Sequence, residues 1–319
     1  MIILKMMKYG IGNQLFAYAY AKYLAQKCAT NLNIYFPKDM MHESDYNNAL
    51  GKFQLKFDGL INKKELIRLS NGKHLINEFF FHLTSKTYRT IDPYIEIEHR
   101  YGKQMEKCNI LINYDVDHWD EYFDIVRKGT VLVSGYFQNT HYARYLENEL
   151  KQEIVLVKEY RFKHRVLIGK INTCNSVCVH VRRGDYIKTS LHKVCNLTYY
   201  KDAVSALCTR IKNPIFFIFT DDQKYVRDNK MIFDGKEVIY ASEIVSANGG
   251  TASEELFIMG QCKHFIISNS SFSWWAQFLS TESNKMVFAP NKWYNSDSMK
   301  GRLFESSWEY IDVVNSIGL

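Results

Sequence analysis

Proline is scarce, with four in 319 residues, and no low-complexity stretch or internal repeat marks a linker. No run approaches the roughly 20 apolar residues that a membrane span requires. The opening Met1-Ile2-Ile3-Leu4-Lys5 is too short an apolar run for a secretory leader and reads as a first strand. Two other short runs, Phe79 to Phe81 and Ile215 to Phe219, read as core. No block of like charge marks a nucleic-acid-binding arm. The surplus of +7 is spread along the chain and favours anionic partners: nucleotides, phosphate groups or an anionic membrane face. The seven cysteines (28, 108, 174, 178, 195, 208 and 262) include no CxxC pair and no disulfide-framework spacing, so reduced thiols in a reducing compartment are expected. Cys174, Cys178, His180 and Cys195 come nearest to a zinc set, but their spacing argues against one. No metal and no nucleic-acid partner is expected. The expected location is cytoplasmic and soluble, with at most peripheral attachment to the inner membrane face.

What is present is ordinary globular composition, 46% hydrophobic and 24% charged, in a chain longer than one compact core usually occupies. Aromatics reach 15%, with 22 Tyr and 20 Phe, which suits sugar-stacking surfaces and an aromatic core equally. The first segment reads strand–loop–helix–strand: Ile2 to Met6, a break at Tyr9 to Gly12, helical spacing from Asn13 to Lys27, and Asn31 to Phe36. Residues from about Asp39 to Tyr122 read as irregular helices and loops, and Thr130 to Tyr136 as a buried strand followed by a helix from Tyr142 to Lys151. A second alternating series starts near 175, with strands at Ser176 to Val181, Pro214 to Thr220, Glu237 to Tyr240, His264 to Ser268 and Met286 to Ala289. Helices between them fall at Tyr199 to Ile211, Ser253 to Gln261 and Phe272 to Leu279. Alternation of this kind predicts parallel sheets covered on both faces. The expected fold is therefore α/β, with two Rossmann-like domains facing across a cleft, an irregular helical insert in the first, and a boundary placing 1–155 in one and 156–319 in the other.

Ligands of open α/β sheets bind beyond the carboxyl ends of strands, and the informative motifs lie there. His180-Val181-Arg182-Arg183-Gly184-Asp185-Tyr186 ends one strand, and an Arg in that position can clamp a diphosphate through paired charged hydrogen bonds. A salt-bridged surface turn is the plainer alternative. Ser268-Asn269-Ser270-Ser271-Phe272 carries more hydroxyls than helix capping needs, and free N–H groups at a helix start bind anions. Thr220-Asp221-Asp222 closes a third strand and reads as a turn, a helix cap or a ligand contact. Asp115-Val116-Asp117 fits a surface loop better than a metal site. Gly10-Ile11-Gly12-Asn13-Gln14 starts like a dinucleotide fingerprint, but Leu15 stands where the third glycine belongs and no acidic residue ends the next strand. A nicotinamide-dependent oxidoreductase is thereby disfavoured, and the Asn13 and Gln14 side chains at the rim of the turn suit sugar hydroxyls better.

Taken together, the blocks GIGNQLFAYA (10–19), GYFQNTHY (135–142), HVRRGDY (180–186), FIFTDD (217–222), EELFIMGQCKHFIISNSSFSWW (254–275) and APNKWY (289–294) resemble the α-1,2-fucosyltransferase family, glycosyltransferase family 11. The resemblance implies the two-domain GT-B architecture and metal-independent, inverting transfer of L-fucose from GDP-β-L-fucose to the 2-hydroxyl of a terminal galactoside, with no cofactor. It implies that Arg182 binds the β-phosphate, that His180 lies against the nucleoside, and that Arg183 and Asp185 support the loop. Ser270, Ser271 and Phe272 match the phosphate-contacting segment, Glu255 a guanine-pairing carboxylate, and Asp221 and Asp222 positions needed for activity. Asn13, with Gly12 and Gln14, matches the turn that faces the sugar. The implied partners are GDP-fucose and a galactose-terminated acceptor, such as a lipid-linked surface polysaccharide. Tyr9, Glu255 and Ala276-Gln277 depart from the family pattern. No general base is legible; His192, Asp185 and Asp39 are candidates, and a non-catalytic glycan-binding module is the rival reading.

Overall fold

Residues buried on both faces of a parallel sheet read as continuous apolar runs, and those runs are where the strands lie. The computed structural model describes residues 1–37, 49–87, 93–233 and 235–313. The chain divides into two units, one of Met1–Gly51 with Leu55–Glu153, the other of Lys52–Gln54 with Ile154–Leu319.

In the first unit, β1 (Ile2–Lys5), β2 (Leu32–Tyr35), β3 (Gly59–Leu60), β4 (Ile110–Asn113) and β5 (Val131–Gly135) form a five-stranded sheet in the order β3-β2-β1-β5-β4. Every pairing in it is parallel. Helix α1 (Ile11–Lys27) is buried along nearly its whole length. It starts earlier than the periodicity suggests, because Gly10 O accepts from the N–H groups of Asn13 and Gln14. The stretch that reads as irregular contains α2 (Lys63–Leu69), α3 (Lys73–Thr87), α4 (Pro93–Lys107) and the edge strand β4. Phe79 is a correction to the core reading: it stands on α3 and is 63% exposed, whereas Phe80 and Phe81 pack against the core. Past β5, the expected single helix is two, α5 (Thr140–Tyr145) and α6 (Glu147–Glu153), interrupted at Leu146.

The second unit begins with α7 (Lys158–Lys163) and α8 (Arg165–Asn172). The alternating series follows: β6 (Asn175–Val181), α9 (Leu197–Cys208), β7 (Pro214–Thr220), α10 (Gln223–Asp228), β8 (Val238–Tyr240), α11 (Ala241–Ala247), α12 (Ala252–Met259), β9 (His264–Ile266), α13 (Ser271–Leu279), β10 (Val287–Pro290) and β11 (Glu309–Ile311). The sheet order is β11-β10-β9-β6-β7-β8, again all parallel. Val177, Val179 and Val181 alternate onto one face of β6, where they join Tyr199, Tyr200, Ala203 and Val204 of α9. Cys178 and His180 are the interleaved residues and take the opposite face.

The order of strands locates the candidate sites. In the second sheet, β6 has the later strand β7 on one side and β9 on the other; in the first, β1 lies between β2 and β5. Chain connections diverge at these points and open a crevice past the strand ends.

Candidate functional site

The loop after β6 is built around Arg182. Its Nη2 donates to Asp185 Oδ1 at 2.5 Å, and its Nη1 lies 3.1 Å from Asp221 Oδ2 at the end of β7. Burial opposes the guanidinium charge, but Asp221 and Asp185 outweigh it, so the pKa is raised and the group stays a cation. Arg183 faces the other way. Its backbone N–H donates to Asp221 Oδ1 (2.8 Å), its Nε donates to Asp222 Oδ2 (3.0 Å), and its guanidinium lies 3.6 Å from the Tyr225 ring centroid. Asp222 also caps α10 by accepting from Tyr225 N at 3.0 Å. That backbone bond, with Arg183, lowers its carboxyl pKa. Asp221 fits only because residue 184 is glycine: a Cβ there would lie 2.6 Å from Asp221 Oδ2.

Across the switch point, β9 runs into Ser268 and the start of α13. Ser270 caps the helix, its Oγ accepting from Phe272 N at 3.3 Å. Trp274 and Trp275 are fully buried and anchor the helix behind that end. Asn269 is pinned by donating to His192 O (3.1 Å) and Trp293 O (2.9 Å). His180 bridges the two loops: its Nδ1 pairs with Ser268 Oγ at 2.9 Å and its ring lies 5.4 Å from that of Phe272. Burial, reinforced by the Arg182 cation, pushes the His180 pKa down to about 3, so the ring is neutral. Tyr186 closes the arrangement, its hydroxyl donating to Asn269 O at 3.4 Å and its ring lying 5.4 Å from the Arg182 guanidinium.

Consecutive glutamates on α12 are separated by environment. Glu254 is fully buried and surrounded by Lys52 (3.0 Å), Lys163 (2.5 Å), His164 (3.1 Å) and the Thr251 hydroxyl (2.8 Å). Despite burial these donors hold its pKa down at about 2. Glu255 accepts from the Ser242 hydroxyl, which in turn accepts from Thr220 N at 2.9 Å. Burial raises the Glu255 pKa to about 7. Through Ser242 it is tied to Thr220, next to the Asp221 that pairs with Arg182, which places it in the same cluster.

At the switch point of the first unit, Gln138 Nε2 donates to Asn13 Oδ1 at 2.7 Å. Gly135, at φ 143°, ends β5 where a Cβ would lie 2.2 Å from Asn113 O. Gly12, Asn13 and Gln14 lie in the first turn of α1 and not on the rim of a preceding turn. Gln14 is 1% exposed and donates to Tyr9 O at 2.7 Å, a structural bond that keeps it from the surface. Tyr9 stacks on Tyr136 with centroids 4.1 Å apart. Gln138, Ser242 and Gly184 escape sequence reasoning. Gln138 and Gly184 had a signal, their places in the GYFQNTHY and HVRRGDY blocks.

A cavity of about 590 Å³ opens beside the Arg182 loop, with Tyr186, His192, Lys193, Tyr225 and Asn295 in its wall. His192 stacks on Tyr186 (5.0 Å between centroids), and burial lowers its pKa. Asp185 is spent on Arg182. Asp39 lies outside the described residues. All seven cysteines are free. Among the described residues no three His, Cys, Asp or Glu side chains come together as a metal set, and no helix is long and apolar enough to cross a membrane.

Two parallel-sheet units with their polar loops at the switch points are the GT-B plan of glycosyltransferases. The crystal structure of fucosyltransferase NodZ from Bradyrhizobium shares it, with a TM-score of 0.52 at 14% identity over 88% of this chain and 93% of that one. Residues 2–312 match the family model described as Glycosyl transferase family 11, and the chain belongs to that family. An α-1,2-colitosyltransferase of Escherichia coli is 28% identical over 300 residues, 91% of each chain. The E. coli O-antigen biosynthesis glycosyltransferase WbnK is 26% identical, covering 94% of this chain and 97% of the relative.

Proposed function

We infer that this glycosyltransferase moves L-fucose from GDP-β-L-fucose to the 2-hydroxyl of a terminal galactoside, inverting the anomeric centre without a metal. One observation carries the reading: Arg182, the capped start of α13 and the half-buried carboxyl of Glu255 gather at one switch point. A guanidinium and a helix N-terminus suit a leaving diphosphate. A carboxylate suits the paired N1–H and N2–H donors of guanine and rejects adenine, which lacks them.

The chemistry is a single displacement. The acceptor oxygen forms a bond to the anomeric carbon as the bond to the β-phosphate oxygen breaks, and the electron pair leaves with GDP. Arg182, oriented by Asp185 and Asp221, offsets the charge that grows on that oxygen. Ser270 and Ser271 hold the diphosphate, His180 and Phe272 flank the nucleoside, and Arg183 with Asp222 fixes the loop. Asn13, with Gly12 and Gln14 behind it, is assigned to sugar hydroxyls. The acceptor proton passes to a base that we leave unassigned.

A second donor is favoured by the relative named for colitosyl transfer. Colitose is L-fucose without its 3-hydroxyl, so the same GDP site would serve either sugar. The relative named for O-antigen biosynthesis supports a surface-polysaccharide acceptor. The test is GDP release from each GDP-sugar over an array of galactosides. Fucosyl transfer predicts turnover with GDP-fucose that needs a galactoside and yields a product cleaved by an α-1,2-specific fucosidase. Arg182→Ala should cut turnover about 100-fold or more with Tm unchanged. Near-normal turnover in that variant sinks the assignment, and the absence of any turnover with bound GDP points to a non-catalytic module.

A further inference from the structure

The helical segment of α7 and α8, interrupted at His164, has an inner face that the fold explains and an outer face that it does not. Inward, Leu167 and Ile171 are buried four residues apart, and Lys163 and His164 turn to Glu254. Outward stand Phe162 and Val166, 63% and 79% exposed. Phe162 and its neighbours also line a groove of about 430 Å³ together with Lys158, Arg161, Ile168, Phe257 and Gln261. An exposed Phe in the wall of a groove, with an exposed Val four residues on, marks a surface that meets something else.

The charges around them say what. Lys158 and Arg161 are exposed in the same stretch, and the Arg165 guanidinium lies 4.1 Å from the Phe162 centroid while donating to Phe162 O at 3.1 Å. Lys170 follows on the same helix, paired with Glu237 at 3.2 Å. Glu159 is the acidic residue between these cations. Apolar side chains ringed by cations fit the boundary of a bilayer, where acyl chains take the former and anionic headgroups the latter. A protein partner fits less well, since lysine is depleted at such interfaces. A second copy would set this cationic face against itself at a two-fold contact.

We propose that the outer face of α7 and α8 docks the enzyme on an anionic phospholipid surface, with Phe162 and Val166 entering the headgroup–acyl boundary and Lys158, Arg161 and Arg165 holding the phosphates. Docked so, α12 lies between the lipid and the donor site: its Phe257 lines the groove while its Glu255 belongs to the nucleotide cluster.

The test is co-sedimentation of the full-length protein with vesicles of phosphatidylethanolamine and phosphatidylglycerol, and with neutral phosphatidylcholine vesicles. It needs no turnover, so it stands apart from the donor assignment. Binding is expected to the anionic vesicles alone and to weaken with salt. The pair Lys158→Ala/Arg161→Ala should lower partition about 25-fold, at about fivefold per cation, and Phe162→Ser/Val166→Ser by roughly tenfold or more. Both variants should keep the parent Tm and the parent affinity for GDP. Failure to bind anionic vesicles, equal binding to neutral ones, or unchanged binding by both variants overturns the proposal. So does a stable dimer that Phe162→Ser/Val166→Ser dissolves without any vesicle binding by the parent.

Discussion

The pH dependence of donor binding should report Glu255 directly. Its pKa in the unliganded protein is raised by burial to about 7, whereas the pairing with guanine N1–H and N2–H proposed above requires the carboxylate. Binding must therefore remove a proton from part of the population. The apparent Kd scales as 1 + 10^(7 − pH), which weakens affinity about tenfold between pH 8 and pH 6. GDP-fucose is the right probe, because its diphosphate is esterified at both ends and has no group titrating in that window. His180 does not interfere, being neutral with a pKa of about 3. Glu255→Gln should lose about 10- to 100-fold in affinity at pH 8, the worth of charged hydrogen bonds, and should bind independently of pH. The same shift acts on stability in the opposite sense. The folded-state pKa lies above that of the unfolded chain, so the stabilising share is fully present below about pH 4.5 and is lost as pH rises through about 7. The full span is on the order of 3 kcal/mol. Isothermal titration calorimetry from pH 5.5 to 8 reads the binding arm, and Tm over the same range reads the stability arm. A flat affinity profile in the parent, or the same slope in Glu255→Gln, refutes the reasoning.

Gly184→Ala should preserve the fold but displace the Asp221 side chain, since the new Cβ meets its Oδ2 and not backbone. A cost of about 1–2 kcal/mol predicts a five- to thirtyfold weaker GDP affinity with a Tm drop of a few degrees, checked by calorimetry and a melting scan. Lys52→Met leaves the fully buried Glu254 with Lys163 and His164 still against it and should destabilise by about 1.5 kcal/mol, one charged hydrogen bond; urea unfolding measures it, and a loss below about 0.5 kcal/mol would show the contact to be idle.

Much of the candidate site's placement was legible because chemistry and local order coincide there. The strand β6 is buried from Ser176 to Val181 around the apolar run 177–179, and its last residues lead directly into Arg182 to Asp185, so motif and position support each other. The strands and helices named in the second series were placed to within a few residues for the same reason, but α10, α11 and the edge strand β11 were missed. Strand β4 was not, because Ile110 to Asn113 is a short apolar run inside a helical stretch, and only its pairing with β5 makes it a strand. Phe79 misled since an apolar triplet on a helix cannot face one way. The partners of Glu255 and Asn13 were unreadable in principle: Ser242 and Gln138 are ordinary polar residues whose roles arise from tertiary approach across 13 and 125 positions. The split between Glu254 and Glu255 is likewise set by rotation about one helix, with Lys52 arriving from far upstream.

That arrival has a practical result for anyone dissecting the enzyme. Phe53 bridges Leu156, Gln54 N donates to Val155 O at 3.1 Å, and Val157 N donates to Lys52 O at 3.1 Å. The polypeptide thus passes from one unit to the other and back before residue 60, and a single cut near 153 does not release two self-sufficient halves. A fragment starting at Ile154 would lack the three residues that pair with its own segment 155–157 and the ammonium that sits on Glu254, and it should fold only when a peptide spanning 49–57 is returned to it.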